Sequence, residues 1–259
     1  MTTAVYYIYM PVHLAPEAVA AVVNVGPIST RIGLAGGEPF TNGLALPFDA
    51  EVTEEALRAL CEEAGIDLGG RPVCVTESTE QRHGPRASRE HWATLLFERF
   101  NVHSMYLIHQ AACALFGSGL STGLVVDVKN VVPVYEGFDI AHGVKRLDDT
   151  VSLAKAAYDS VFTCDCDIWR DLLTHVVVCG RDSEVSETLV ASLQSELTAL
   201  VAESHPAIAK VCVRSAGHGE ADAWHGASLF ASFEPGTGQW IRRDDYDASG
   251  AAIVHERCV

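Results

Sequence analysis

The stretch Val22-Val23-Asn24-Val25-Gly26-Pro27-Ile28-Ser29-Thr30-Arg31-Ile32-Gly33-Leu34-Ala35-Gly36-Gly37 decides how the rest of the chain reads. Aliphatic and β-branched residues fill it on both sides of Gly26-Pro27. The pattern predicts a strand, a tight turn and a second strand ending in a glycine pair. A glycine turn between buried strands is one way a chain brings backbone N–H groups up to a phosphate. The residues around the turn decide whether it keeps that property.

A chain of 259 residues can bury a sizeable core, as one large α/β unit or as two lobes. With 48% hydrophobic residues and a mean hydropathy of +0.15, it reads as globular throughout. The net charge of -16 argues against a nucleic-acid or anionic-membrane surface, since both need clustered Lys and Arg. It also opposes close self-association, so any assembly is expected to depend on salt. No basic residue precedes the first apolar run, and Pro11, His13, Pro16 and Glu17 interrupt it, so no signal peptide is expected. No run reaches the ~18–20 apolar residues of a membrane span. Eight scattered cysteines then read as reduced thiols, and the expected location is the cytoplasm.

Outward from the opening hairpin, residues 4–12 predict an extra strand and 39–49 a loop. Thr53 predicts an N-cap for a helix over 54–64, with Gly65 as its stop. Residues 72–76 predict a strand, 77–87 a polar loop, and Ser88 the cap of a helix over 89–100. A strand over 104–109 leads into a small-residue helix over 110–116, and Gly117-Ser118-Gly119 predicts a hinge. A second meander follows, with strands over 123–128, 131–135 and 138–147 and a turn at Lys129-Asn130. Beyond it, 149–173 is helical with a break near Cys164-Asp165-Cys166-Asp167. A strand at 176–179, a helix at 186–202, a strand at 210–214 and helices at 221–233 and 242–248 complete the pattern. Each half thus opens on a meander and continues as helix, strand, helix. That duplication predicts two similar α/β lobes facing a cleft.

Several segments carry a family resemblance. Trp224-His225-Gly226-Ala227-Ser228, Gln239-Trp240-Ile241, Asp245-Tyr246-Asp247-Ala248-Ser249-Gly250 and the end Ile253-Val254-His255-Glu256-Arg257-Cys258-Val259 resemble the tail of actin almost residue for residue. Thr76-Glu77, residues 101–119, Val132-Pro133-Val134-Tyr135-Glu136-Gly137, Arg146-Leu147-Asp148 and 176–180 are similar to the same family. The resemblance implies an actin-like α/β fold, the duplicated-lobe plan of ribonuclease-H-like and Hsp70-type proteins. One lobe would comprise 1–119 with 221–259, the other 120–220. Only 40–71 and 150–174 stand where the family carries its two outer subdomains, the second and fourth. Both are expected to be missing or reduced to linkers.

The family holds ATP and a divalent metal between its lobes, and the resemblance assigns relic positions here. Asn24 replaces a metal-side Asp and lacks its charge. Gly26 keeps the turn, but Pro27 replaces a phosphate-binding Ser and removes both hydroxyl and N–H. Arg31 stands for a phosphate-binding Lys, Asp127 for a second metal-side carboxylate, and Gln110 for a water-orienting Gln. The glycine-rich second loop is reduced to a short hairpin. Gly180 is kept in the third loop, beside Arg181 where a glycine is expected. The survivors also have structural readings: Gln110 as a helix-start residue, Arg31 as a solvated or salt-bridged surface residue, Asp127 as a cap or a partner of Lys129. Cys164-Asp165-Cys166 lacks a second ligand pair at metal spacing, so no metal site is expected.

The expected function is structural. The chain reads as an actin-like cytoskeletal protomer that assembles into filaments or oligomers with little or no dependence on ATP, and is not an enzyme. One alternative is a monomeric binding module that takes a protein partner at the groove beside the tail. Another is residual Mg-ATP binding and hydrolysis using Arg31, Asp127 and Gln110. No cofactor is otherwise expected, and the expected partner is a second copy.

Overall fold

The computed structural model describes residues 19–26, 30–42, 52–127, 129–147, 151–180, 185–208, 210–217, 221–233 and 239–258. The strand expected at 4–12, the Pro27 and Arg181 positions and most of the loop at 39–49 lie outside the described residues.

The opening stretch forms an antiparallel pair, β1 (Ala21–Val25) and β2 (Thr30–Leu34), with Asn24 opposite Arg31. A short β3 (Phe40–Asn42) extends it. Every β1 residue is buried because β1 has neighbours on both sides: it also pairs in parallel with β4 (Pro72–Glu77), and β4 pairs in parallel with β5 (Ser104–His109). The crossover helix α1 (Glu54–Ala64) starts and stops where the sequence places it. Thr53 accepts from the Ala56 N–H, and Gly65 closes the helix at φ +67°.

The segment expected to be a loop at 77–87 contains instead a single helical turn, α2 (Thr79–Arg82), fixed by a capping box between Ser78 and Gln81. Helix α3 (Arg86–Thr94) begins two residues before the cap expected at Ser88, directly after Pro85, whose fixed φ favours a helix start. It widens into a π-helical turn over Leu95–Arg99.

From β5 the chain enters α4 (Gln110–Gly117), leaves through Gly119 at φ +74°, and builds a second sheet. There β6 (Gly123–Val126) pairs with β7 (Asn130–Tyr135), which pairs with β8 (Phe138–Asp139) and β9 (Lys145–Arg146). The single third strand expected over 138–147 is thus two short ones around a 3-10 turn at Ala141–Gly143. A Cβ on Gly143 would come within 2.5 Å of Pro133, so the chain passes close only because this residue is glycine. Helices α5 (Leu153–Thr163) and α6 (Trp169–Thr174) lead to β10 (Val176–Val178), and α7 (Glu187–Ser204) leads to β11 (Val213–Ser215). The chain then returns through α8 (Asp222–Phe233) to β12 (Ile241–Arg242) on the first sheet, and ends in α9 (Arg243–Ser249) and α10 (Val254–Arg257).

The two sheets repeat one plan. In the first, β1, β4 and β5 run parallel and β1–β2–β3 form the meander; in the second, β6, β10 and β11 run parallel and β7 begins the meander. Helix α4 joins them. Its alanines Ala111, Ala112 and Ala114 and Leu115 pack on Val125, Val132 and Val177 of the second sheet. Its backbone meets α8, whose Trp224 and Ala227 belong to the first core. A Cβ on Gly226 would lie 1.7 Å from the Cys113 carbonyl, so the two helix backbones touch there.

Candidate functional site

Parallel strands end on a common edge, and ligands of α/β sheets gather beyond the carboxyl ends of such strands. Asn24, Glu77 and His109 occupy those ends on the first sheet, while Asp127 and Cys179 directly follow β6 and β10 on the second. The structure therefore places Asn24 and Gln110 at the carboxyl edge of the first sheet and Asp127 and Gly180 at that of the second.

On the first sheet the side chains are turned to one another. Thr76 Oγ1 donates to Asn24 Oδ1 at 2.6 Å. Gln110 Nε2 donates to the Val25 carbonyl at 2.9 Å and to Thr76 Oγ1 at 3.2 Å, with Asn24 Oδ1 at 3.4 Å. Gln110 thus links the ends of β1 and β4 to the start of α4, in keeping with its structural reading. Asn24 is neutral and already bonded. Arg31, read either as a phosphate-facing relic or as a solvated or salt-bridged surface residue, is only 8% exposed, since β2 lies between β1 and β3.

On the second sheet Asp127 Oδ1 accepts from the backbone N–H groups of Lys129 and Asn130, at 2.5 and 2.7 Å. The hairpin turn therefore lies between Asp127 and Asn130, one residue earlier than the sequence places it, and the carboxylate folds it as an Asx turn. Burial pushes the Asp127 carboxyl up, against those two hydrogen bonds. Gly180 follows β10 at φ +147°, a conformation that favours glycine. Among the described residues, no group of three or more His, Cys, Asp or Glu side chains converges to hold a metal, Cys164 and Cys166 included.

The sequence reading missed the residues that connect the two sheets. Glu77, buried at the end of β4, accepts from Arg82 at 2.7 Å and from Arg89 at 2.9 Å. Arg82 also donates to Asp139 on β8. His83 lies 3.1 Å from the same carboxylate, and the His109 ring approaches it at 3.7 Å. Beside them Asn130 donates to Glu80 at 2.9 Å. Arg89 further holds the Cys258 carbonyl, which ties the C-terminal segment to the same network. Burial pushes the Asp139 carboxyl up, but Arg82, His109 and His83 together hold it below the usual carboxylate range. Burial drives the His109 ring down to about 3, so it is neutral at pH 7; its Nε2 meets Thr79 Oγ1 at 3.1 Å. The Ser78 and Gln81 spacing is a capping-box signal that the loop reading at 77–87 passed over; the pairing of Arg82 with Asp139, 57 residues away, left no local signal.

A metal-bound triphosphate needs free anionic oxygens for the cation and free donors for the phosphates. Among the described residues, the Asn24 and Gln110 amides and one Asp127 oxygen already serve the protein's own backbone and side chains.

A family model described as Actin matches the chain in two segments, residues 48–149 and 145–259, well over half its length. Gln110, Asp127, Gly180 and the network from Glu77 to Asp139 fall within the matched segments. The opening hairpin, with Asn24, Gly26 and Arg31, precedes them.

Proposed function

The chain belongs to the actin family, and from that premise we propose that it acts as a structural protomer whose lobes are held together by its own side chains and which works by assembling with further copies. The observation that carries this reading is the bridging of the two sheets by Asn130–Glu80 at the carboxyl edge and by Arg82–Asp139 farther along, where β8 lies level with the start of β6. In a nucleotide-dependent relative the carboxyl edge would face phosphate and metal; here the Asn130–Glu80 bond crosses it. Gln110 and Asp127 support the same reading, because both are engaged in local backbone hydrogen bonds. Lobes bridged by their own side chains would not need nucleotide turnover to hold one arrangement.

Two measurements test this. In sedimentation and light scattering over a range of concentrations, particles larger than the monomer are expected, favoured by salt because a net charge of -16 repels its copy, and indifferent to Mg-ATP. A monomer at every salt and Mg2+ concentration sinks the reading. In calorimetry, Mg-ATP is expected to give no micromolar binding; binding that disappears in Asp127→Ala would instead favour a working nucleotide site.

One observation favours a second reading. Phe233 at the end of α8 is 76% exposed, and Leu229, one helical turn earlier, is also exposed. Two apolar side chains exposed one turn apart on α8 suit a protein partner. A stable monomer at high concentration would favour this binding-module reading.

A further inference from the structure

Helix α2 is a single turn, and so short a helix gains too little from its own hydrogen bonds to persist alone. Its side chains supply what the backbone lacks. Arg82 is held by Glu77 and Asp139, His83 at the helix end by Asp139, and Glu80 by Asn130. Asp139 and Asn130 belong to the second sheet, so α2 clasps that sheet from the first.

His109 lies buried under this clasp, with Thr79 of α2 at 3.1 Å from Nε2 and Asp139 of β8 at 3.7 Å from Nδ1. The second distance is too long for a hydrogen bond, and Nδ1 has no partner among the described residues. The charges around the ring already balance: Arg82 and Arg89 face Glu77 and Asp139. Glu80, the next carboxylate, is drawn toward Asn130 and Lys129. A proton on His109 would add a buried charge with no counter-ion of its own. Burial accordingly drives the ring down to about 3, although Asp139 opposes it.

We infer that α2 is an acid-released latch: proton uptake by His109 frees α2 from β8 while the first sheet stays folded. The inference rests on the reading that these side chains hold the two sheets together, and not on assembly. Once α2 leaves, Thr79 and Asp139 no longer cover the ring, and water solvates the imidazolium. The released form then takes up a proton below pH 6.5 that the latched form refuses until about pH 3. Over that interval the ratio of released to latched form rises by up to about tenfold per pH unit. His83 acts in the opposite direction, because a proton on it strengthens the latched form's hold on Asp139. Burial raises the Asp139 carboxyl, but Arg82, His109 and His83 hold it below 3.8, so Asp139 adds to release only at the acid end.

The test is peptide-resolved hydrogen exchange on the full chain from pH 7.5 to 5, corrected for the intrinsic pH dependence of exchange. Peptides covering α2 report the Arg82 and His83 N–H groups, which donate to the Ser78 and Thr79 carbonyls; peptides of β4 and β5 report the first sheet. In the wild type, exchange in α2 is expected to rise about tenfold between pH 6.5 and 5 while β4 and β5 stay protected. His109→Gln is expected to keep the α2 rate level over that range, and His83→Gln to keep or steepen the rise. Charges outside the described residues are common to wild type and variants, so this comparison reads the histidines themselves. Asp139→Ala opens the latch without acid and is expected to exchange fast in α2 already at pH 7.5. Slow α2 exchange in Asp139→Ala would overturn the reading that the pair holds the sheets. Fast exchange there overturns the acid latch alone if the wild-type profile is flat, if the rise survives in His109→Gln, or if β4 and β5 rise in step.

Discussion

Arg82, at the end of α2, donates from Nε to the carboxylate of Asp139 on β8 and so joins the first sheet's helices to the second sheet. The two side chains are 10% and 2% exposed, and Glu77 binds the other side of the same guanidinium. Removing Asp139 leaves the buried Arg82 with Glu77 as its remaining carboxylate, short of one partner, whereas replacing both Arg82 and Asp139 with apolar groups avoids part of that penalty and leaves Glu77 to Arg89. Asp139→Ala is therefore expected to lower unfolding stability, by less than the ~3–5 kcal/mol of a pair broken to leave one charge alone. Arg82→Met combined with Asp139→Leu is expected to lose much less. Urea unfolding measures both. Equal losses in the single and double variants would mean that packing, not the ion pair, sets the cost.

His109 adds a pH dependence. Its folded-state pKa is depressed from 6.5 to about 3 by burial, with Asp139 opposing and Arg82 and His83 assisting. A depressed histidine means that the unfolded chain takes up a proton that the folded chain refuses. Stability from this group is thus full above pH 6.5 and falls as the pH drops toward 3, by about 1.4 kcal/mol per unit. Asp139, held below 3.8, adds a further loss at the acid end of that range. His109→Gln is expected to flatten the slope of the melting temperature between pH 6.5 and 4. An unchanged slope would assign the acid sensitivity to other groups.

Gln110 makes the assembly reading testable through stability. Its amide donates to the Val25 carbonyl and to Thr76, so Gln110→Ala leaves acceptors at the end of β1 without a partner. The expected loss is about 1–3 kcal/mol. Gln110→Glu is expected to cost more, because it sets a carboxylate against the Val25 carbonyl and Asn24 Oδ1. Thermal melts read both. A Gln110→Ala melt equal to wild type would show that the amide is free to serve the cleft, and would weaken the case against nucleotide.

How far the sequence went depended on the range of the interaction. Caps act within four residues, so Thr53 and Gly65 mark helix ends that the structure keeps, while the cap read at Ser88 moves to Pro85. Alternation and glycine punctuation located the strands around Asn24 and Asp127, and with them the edge where the candidate residues meet. Long-range partners left no such pattern. Glu77, Arg82 and Asp139 read as ordinary polar residues near turns, and only the apposition of two sheets makes them a buried network. The burial of Arg31 was open for a similar reason, since a strand's neighbours, not its own residues, decide whether a long polar side chain reaches water. The break of the third meander strand depends on Gly143 against Pro133, another contact between distant residues.

The crossing of α4 and α8 tests whether the lobes are joined as described. The Cys113 carbonyl is so close to Gly226 that an added Cβ would lie 1.7 Å from it, where real Cβ atoms are never found. Gly117 makes a second close approach on the same side, with a Cβ position 3.4 Å from the Asp222 carbonyl, an ordinary contact. The two glycines therefore differ in what they tolerate. Gly226→Ala must push α8 away from α4 and disturb Trp224, which packs over Gly33 on β2. Overpacking of this kind costs about 1–3 kcal/mol, and the contact with a rigid backbone carbonyl places Gly226→Ala at the upper end. With about 2–4 °C of melting temperature per kcal/mol for a chain near this size, a drop of about 6–12 °C is expected. Gly117→Ala is expected to change the melting temperature little. If the two substitutions cost the same, the close helix crossing at Gly226 is not what holds α4 against α8.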